Sequence, residues 1–369
     1  MNHDNRRIRV AISHGDINGI GYEVLYKVFA DERIFELFTP IVYGSAEAAK
    51  YWYKHLELDC PHWHEIASID NVKDGCVNII NVSKGAVQVE PGKATSLAGE
   101  LAFLALDYAT TDVLARRADV LVTAPINKSI MPKDKFPYTG HTPYLEARAA
   151  HEPGRSLMLL CAGDCRVALA TEHIPIVEVA NALTSDLIVQ KVQTMESGLI
   201  RDFGIIKPRI AILALNPHAG DNGLIGDDEA MIITPAIQML SESGHIVFGP
   251  YAADGFWASG RADSFDGILA MYHDQGLAPF KSLYMSEGVN TTLGLSIIRT
   301  SPDHGTGYDI AGQGIASPDS MRQAIYLAID VYRARKRHDY ATRNPLRRVY
   351  FNKGRDDEKL DLSSHDDSY

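Results

Sequence analysis

The sequence predicts an α/β fold with a largely parallel sheet. Two observations carry the prediction, and the length sets its scale. Short apolar runs of strand length alternate with helix-like segments through most of the chain. The first run, residues 8–13, leads through Gly15, Gly19 and Gly21 into an apolar helix-like stretch over 22–29, a strand–turn–helix signature. A chain of 369 residues is long enough for two domains, or for one large α/β unit with a cleft.

The elements follow in order. Residues 96–117 place Leu97, Leu101, Leu104 and Tyr108 at helical spacing and predict a long amphipathic helix. Residues 120–122 read as the next strand, and 157–160 as a buried strand ending at Cys161. Further strand-like runs lie at 167–170, 210–215 and 267–271, with a helix-like stretch at 229–240 between the last two. Ser317-Pro318-Asp319 opens a helix over 320–333, with Ser317 or Asp319 as its cap. Residues 356–369 are charged, serine-rich and nearly without apolar side chains, and read as a polar tail without a catalytic role. No internal repeat stands out.

Composition excludes several classes. The chain is 46% hydrophobic and 22% charged, with 36 Lys and Arg against 47 Asp and Glu and a formal net charge of −11. That balance argues against a nucleic-acid partner, which needs a net basic face. The four cysteines are too few for a disulfide scaffold, and Cys161 and Cys165 have the wrong spacing for a zinc or thioredoxin-like motif. No segment reaches the roughly 18 apolar residues of a membrane span, and the run at 8–12 is too short for a signal peptide. A soluble, cytoplasmic protein with no membrane partner is expected.

Three standard motifs fail. Gly19-Ile20-Gly21 lacks the third glycine of the dinucleotide fingerprint, Gly92-Lys93 lacks the rest of a P-loop, and His64-Glu65 lacks the second histidine of a zincin. The histidines are more informative. Three strand-like runs end alike, 167–173 at His173, 210–218 at His218 and 267–273 at His273. Ligands of open parallel sheets bind beyond the carboxyl ends of the strands. Three imidazoles there can converge on one metal and leave positions open for substrate. Groups suited to an anionic, phosphorylated substrate lie near them in sequence. These are the turn 139–142 with His141 and Thr142, then Lys281, Asn290 and Arg299. A second polar turn, 301–309, is placed to meet a cofactor or substrate.

These segments resemble the 4-hydroxythreonine-4-phosphate dehydrogenase family of pyridoxal phosphate biosynthesis. The resemblance rests on Gly15-Asp16 with Gly19-Ile20-Gly21, and on residues 123–128, 140–142, 173–175, 215–220, 249–254, 272–277 and 303–312, in order from about residue 10 to about residue 330. It implies two α/β lobes like those of isocitrate and isopropylmalate dehydrogenases, with the site in the interlobe cleft. The lobes would be 1–135 plus 303–345, and 136–302, followed by the tail 346–369. It implies a homodimer whose sites use both subunits, NAD bound without the fingerprint (NADP stays open), and one divalent metal, zinc, cobalt or magnesium, on His173, His218 and His273. By the same resemblance His141, Thr142, Lys281, Asn290 and Arg299 bind substrate, and Asp254 lines the site. Asp254 and Asp274 are candidates for proton transfer, and Asp303, Gly305 and Thr306 for cofactor binding. The implied reaction oxidises 4-phosphooxy-threonine to a 3-keto acid that decarboxylates to 3-amino-2-oxopropyl phosphate. The chain departs from the family's usual pattern in the first loop, where His14, Ile17 and Tyr22 stand in place of usual prolines.

Alternative functions are a related dehydrogenase of phospho-threonate or phospho-erythronate, a cis-dihydrodiol dehydrogenase, a metal-dependent hydrolase, and a silent binding protein.

Overall fold

Residues 8–13 form the first strand, β1 (Ile8–Ser13), whose last four side chains are all buried. It is central, pairing in parallel with β2 (Phe38–Gly44) on one side and β5 (Val120–Thr123) on the other. In the computed structural model, which describes residues 6–57 and 60–346, the chain builds one twelve-stranded sheet from the described residues. The other strands are β3 (His64–Ile66), β4 (Asn78–Asn81), β6 (Leu157–Ala162), β7 (Cys165–Leu169), β8 (Ile210–Leu213), β9 (Val247–Tyr251), β10 (Gly267–Ala270), β11 (Val289–Leu293) and β12 (Arg299–Pro302). Their order is β3-β4-β2-β1-β5-β12-β11-β6-β7-β10-β8-β9.

Both flanks are parallel, as the alternation of runs predicts, but the centre is not: β12–β11, β11–β6 and β6–β7 pair antiparallel. Short connections impose the β6–β7 and β11–β12 pairings, since a parallel crossover needs a dozen residues or more. The β6–β7 turn is only Gly163-Asp164, with Gly163 at φ 54°. The link from β11 to β12 turns at Gly294 (φ 80°), where a Cβ would lie 2.3 Å from the Arg155 carbonyl oxygen, so only glycine fits.

The predicted helices are present with altered ends. The first, α1, is Gly21–Phe29, and α2 is Ala46–His55. The long helix α3 (Ser96–Leu114) starts where the Thr95 hydroxyl accepts the Ala98 N–H at 3.3 Å. After α4 (His141–Ala149), α5 (Val179–Ala182) and α6 (Ser185–Arg201), the stretch predicted at 229–240 begins as a π-turn over Glu229–Ile233 and continues as α7 (Thr234–Glu242). The wide turn holds the Glu229 carboxylate on the backbone N–H groups of Leu215 and Asn216, at 2.8 and 2.7 Å. Then come α8 (Ala253–Ala258), α9 (His273–Tyr284) and α10 (Asp319–Thr342). The last runs past the predicted end at 333 because no Gly or Pro interrupts it. Ser317 Oγ accepts the Asp319 N–H at 3.2 Å and so serves its start.

Three apolar clusters divide the interior. One packs α1, α3 and α10 around β1, β2 and β5. The other two lie on opposite faces of β6, β7, β8 and β10: Ile188, Val192, Leu199 and Leu240 from α6 and α7 on one face, Phe256, Leu277 and Phe280 from α8 and α9 on the other. The molecule is thus two α/β lobes on a continuous sheet. No described helix is long and apolar enough to cross a membrane. From residue 347 onward the predicted tail lies outside the described residues.

Candidate active site

The carboxyl ends of β5 and β12 and the amino end of antiparallel β11 share one edge of the sheet, where the lobes meet. A cavity of about 330 Å³ opens there. Of the residues singled out in the sequence, His141, Thr142, His173, Lys281, Asn290, Arg299, Asp303 and Gly305 line it.

Arg299 is the unusual group. It is 3% exposed, yet no ion-pair partner for it is found among the described residues. Its guanidinium donates to Thr123 Oγ1 at 2.9 and 3.2 Å, and at the long distances of 3.5 and 3.4 Å to Asn290 Oδ1 and Thr292 Oγ1. All these partners are neutral. Burial pulls its pKa down to about 10, so the side chain remains cationic at neutral pH. A desolvated cation without a counter-charge is costly and is stabilised by an anion brought to it.

The start of α4 faces the same space. Gly140, His141, Thr142 and Pro143 line the cavity, so the helix N-terminus presents its free N–H groups and positive dipole end there. Burial, then the positive charges of Arg299 and Lys128, hold the His141 imidazole well below its usual pKa. It is a neutral group whose Nε2 is enclosed and finds no protein partner.

Lys281, on α9, makes an ion pair with Asp303 at 3.1 Å, so a residue expected to bind substrate is joined to one expected to bind cofactor. Burial raises the Asp303 pKa, opposed by Lys281. Gly305 lies on the cavity wall, whereas Thr306 serves the backbone: its carbonyl accepts the Ile20 N–H at 3.0 Å. A Cβ at Gly19 would approach that oxygen to 2.6 Å. Sequence reasoning gave no role to Thr123, Lys128 and Glu172, and took in Ser301 and His304 only as part of the turn 301–309; all five are on the wall. Lys128 ends the motif 123–128, and His304 follows Asp303; their places in those motifs were the available signal.

The three histidines are only partly assembled. His173 follows β7 and His273 opens α9, and their rings lie 5.8 Å apart. His273 Nδ1 is 2.6 Å from Asp274 Oδ1, an arrangement that orients an imidazole and leaves its Nε2 for a ligand. His218 sits instead on a left-handed turn, where His218, Ala219, Gly220, Asp221 and Asn222 all have positive φ. No trio of potential metal ligands gathers among the described residues. Asp274 is largely exposed beside His273. Asp254, on α8, is exposed and not on the cavity wall.

The loop that departs from its relatives is firmly held. Asn18 accepts the Glu90 N–H at 2.8 Å and donates to the Lys93 carbonyl and Thr95 Oγ1 at 2.8 and 3.1 Å. The Tyr22 hydroxyl donates to the Ser45 carbonyl and accepts the Ser45 N–H, both at 2.9 Å, while its ring stacks on His14.

Residues 36–328 match the family described as "Pyridoxal phosphate biosynthetic protein PdxA". Among curated proteins, the 4-hydroxythreonine-4-phosphate dehydrogenase of Bacteroides thetaiotaomicron is 49% identical over 364 residues, covering 99% of this chain and all of that one. The protein of the same name from Sulfurihydrogenibium sp. is 42% identical over 89% of this chain and all of its own length. Among solved structures, the 4-hydroxythreonine-4-phosphate dehydrogenase of Klebsiella pneumoniae superposes with a TM-score of 0.77 at 32% identity, covering 90% of this chain and 99% of that one. A terephthalate 1,2-cis-dihydrodiol dehydrogenase from Burkholderia xenovorans matches at a TM-score of 0.58 and 25% identity, over 88% and 98%. On the family match and the two full-length relatives, this chain belongs to the PdxA family.

Proposed function

We propose that the protein is a 4-hydroxythreonine-4-phosphate dehydrogenase, which oxidises the secondary alcohol of 4-phosphooxy-L-threonine with NAD and releases 3-amino-2-oxopropyl phosphate after loss of CO₂. One observation carries the reading: the buried, carboxylate-free Arg299 beside the N-terminus of α4. A phosphate dianion supplies the missing counter-charge and accepts from the guanidinium, from Thr142 and from the helix N–H groups. A neutral diol leaves Arg299 uncompensated; against a dihydrodiol that carries carboxylates, the reading rests on the 49% and 42% identity to the 4-hydroxythreonine-4-phosphate dehydrogenases.

Lys281 and Asn290 hold the remaining polar groups of the substrate, with Asp303 keeping the Lys281 ammonium in place. His141, neutral and short of a partner, takes or gives a hydrogen bond without adding charge. Asp303, Gly305 and the loop tied through Thr306 to Ile20 border the space for the nicotinamide dinucleotide. A bound nicotinamide cofactor would supply the hydride acceptor, and a divalent cation would supply Lewis-acid chemistry at the substrate oxygen.

His173 and His273 suit such a cation, the latter through its Asp274 contact, and imidazole donors favour zinc or cobalt over magnesium. We place the third ligand, His218, on a second copy of the chain, with Asp254 beside it. Supporting this, exposed apolar side chains flank both segments: Ile176 and Val177 after His173, Leu224 and Ile225 after His218. Contiguous exposed apolar surface marks an interface.

The test is NADH formation with 4-phosphooxy-threonine and 4-phosphoerythronate side by side, with and without added metal. Metal-dependent turnover of the amino acid substrate is expected. Turnover of the erythronate instead moves the enzyme to sugar-acid oxidation, and no turnover of either overturns the reading.

A further inference from the structure

A second cavity lies at the opposite edge of the sheet. It is bordered by Asp119, which precedes β5, and by Ile297 and Ile298, which precede β12, whereas the active-site cavity uses the other ends of those strands. At about 520 Å³ it is larger than the active-site cavity. Its wall carries five cationic side chains, Arg6, Arg116, Arg201, Arg335 and Lys336, against two carboxylates, Asp119 and Asp339. With Asp202, which pairs with Arg335 behind the wall, the result is a local excess of two positive charges in a chain whose formal net charge is −11. Such an excess focuses anions.

Four of these cations already have partners, Lys336 among them through Tyr332. Arg6 is bidentate to Asp119 at 2.7 and 2.9 Å. Arg201 meets Asp339 through two contacts of 3.2 Å, and Arg335 is buried on Asp202 at 2.6 and 2.9 Å. Lys336 lies 5.0 Å from the centre of the Tyr332 ring. The Arg116 guanidinium makes no hydrogen bond or ion pair among the described residues. Its backbone is left-handed, at φ 58°, just past the end of α3. Glycine is the usual residue there, and an arginine carries a steric penalty. A residue held in a disfavoured conformation with an unpartnered charge facing a cavity points to a ligand. The floor of the cavity is apolar: Val113, Ile297, Ile298 and the Tyr332 ring.

We propose that this cavity binds a phosphate monoester with an apolar or aromatic body, the phosphate on Arg116 and Lys336 and the body on Tyr332 and Ile298. The site is separate from the dehydrogenase site and independent of its assignment.

The experiment is calorimetric titration of the full-length protein with phenyl phosphate and, separately, inorganic phosphate. Two binding events per chain are expected with phenyl phosphate. Arg299→Met removes the event at the active-site cavity and leaves the other. Arg116→Gly relieves the left-handed strain, so it raises the thermal midpoint while weakening the second event at least tenfold. Arg116→Gly with Lys336→Ser abolishes that event and leaves basal turnover unchanged. A single event that vanishes in Arg299→Met and is unaffected by Arg116→Gly overturns the proposal. Inorganic phosphate binding the second site as tightly as phenyl phosphate overturns the role of the apolar floor.

Discussion

Replacing Arg299 by Met should move stability and substrate affinity in opposite directions. Burial pulls the Arg299 pKa from its ordinary value down to about 10. The folded value is the lower one, so the unfolded chain binds the proton more tightly. The penalty is therefore absent above both values and fully present below about pH 10. At about 1.4 kcal/mol per pH unit it comes to roughly 3 kcal/mol at neutral pH. The hydrogen bonds to Thr123, Asn290 and Thr292 offset part of it. Two of these are long, and a net contribution of about 1 kcal/mol each is generous. Methionine fills similar space without charge, so the ligand-free protein should gain about 1 kcal/mol in urea unfolding. Substrate binding should lose two charge-assisted hydrogen bonds of about 1.5–3 kcal/mol each, a rise in KM of at least about a hundredfold. Arg299→Lys should fall between, because an ammonium cannot grip phosphate with two parallel bonds. Loss of more than about 1 kcal/mol of stability in Arg299→Met would show that the guanidinium braces the strand edge instead. An unchanged KM would remove it from the phosphate site.

Other perturbations report on separate parts of the molecule. Burial lowers the His14 pKa from 6.5 to about 4, so the unfolded chain takes up the proton first as pH falls and stability drops below pH 6.5. Between pH 8 and pH 5 this costs about 2 kcal/mol, and His14→Phe should flatten that part of the urea-unfolding pH profile; an unaltered profile contradicts the buried neutral ring. The Arg335–Asp202 pair joins α10 to α6 with both residues at least nine-tenths buried. Asp202→Asn should cost about 3 kcal/mol or more, and a change below about 1 kcal/mol in chemical denaturation would show that the pair is not coupled to folding. His273→Ala should lose bound zinc or cobalt, measured by elemental analysis after dialysis, while circular dichroism stays unchanged. Retained metal in that variant removes His273 from the centre.

The parallel flanks were legible because local pattern governs them: 8–13, 120–122, 167–170, 210–215 and 267–271 are all strands, with ends shifted by a few residues. The antiparallel centre was not, because it depends on the turn at Gly294 and on β12, whose sequence Arg299-Thr-Ser-Pro302 is polar yet fully buried. A strand that buries an arginine for a ligand breaks the apolar pattern by which strands are read. The anion-binding side chains were recognisable by type, and they converge. His173 and His273 also meet, but nothing in residues 210–218 announced that the chain beyond β8 would enter a left-handed turn and carry His218 elsewhere. Local sequence locates a ligand; the turn that aims it depends on Gly220 and on the distant Glu229 carboxylate.

The first loop shows how the same rigidity can be reached by different means. Proline at positions 14, 17 and 22 would restrict the unfolded chain, worth about 0.4–1 kcal/mol at each compatible site. This chain has His14, Ile17 and Tyr22 there, an exchange that bears on the rigidity of the loop. The structure shows what holds the loop instead. Asn18 satisfies three groups in the segment 90–95, Tyr22 closes a reciprocal pair with Ser45, and His14 stacks on Tyr22 at 5.3 Å. Buried hydrogen bonds of about 1 kcal/mol each match or exceed what the prolines supply, but they do so in the folded state. The loop is therefore fixed only once α1, α2 and the 90–95 segment have docked. That couples the edge of the active site, through Ile20 and Thr306, to the packing of the whole first lobe. Restoring proline at position 22 alone should consequently destabilise the protein: it deletes both Ser45 bonds and the His14 stack while restricting a chain segment that is already held.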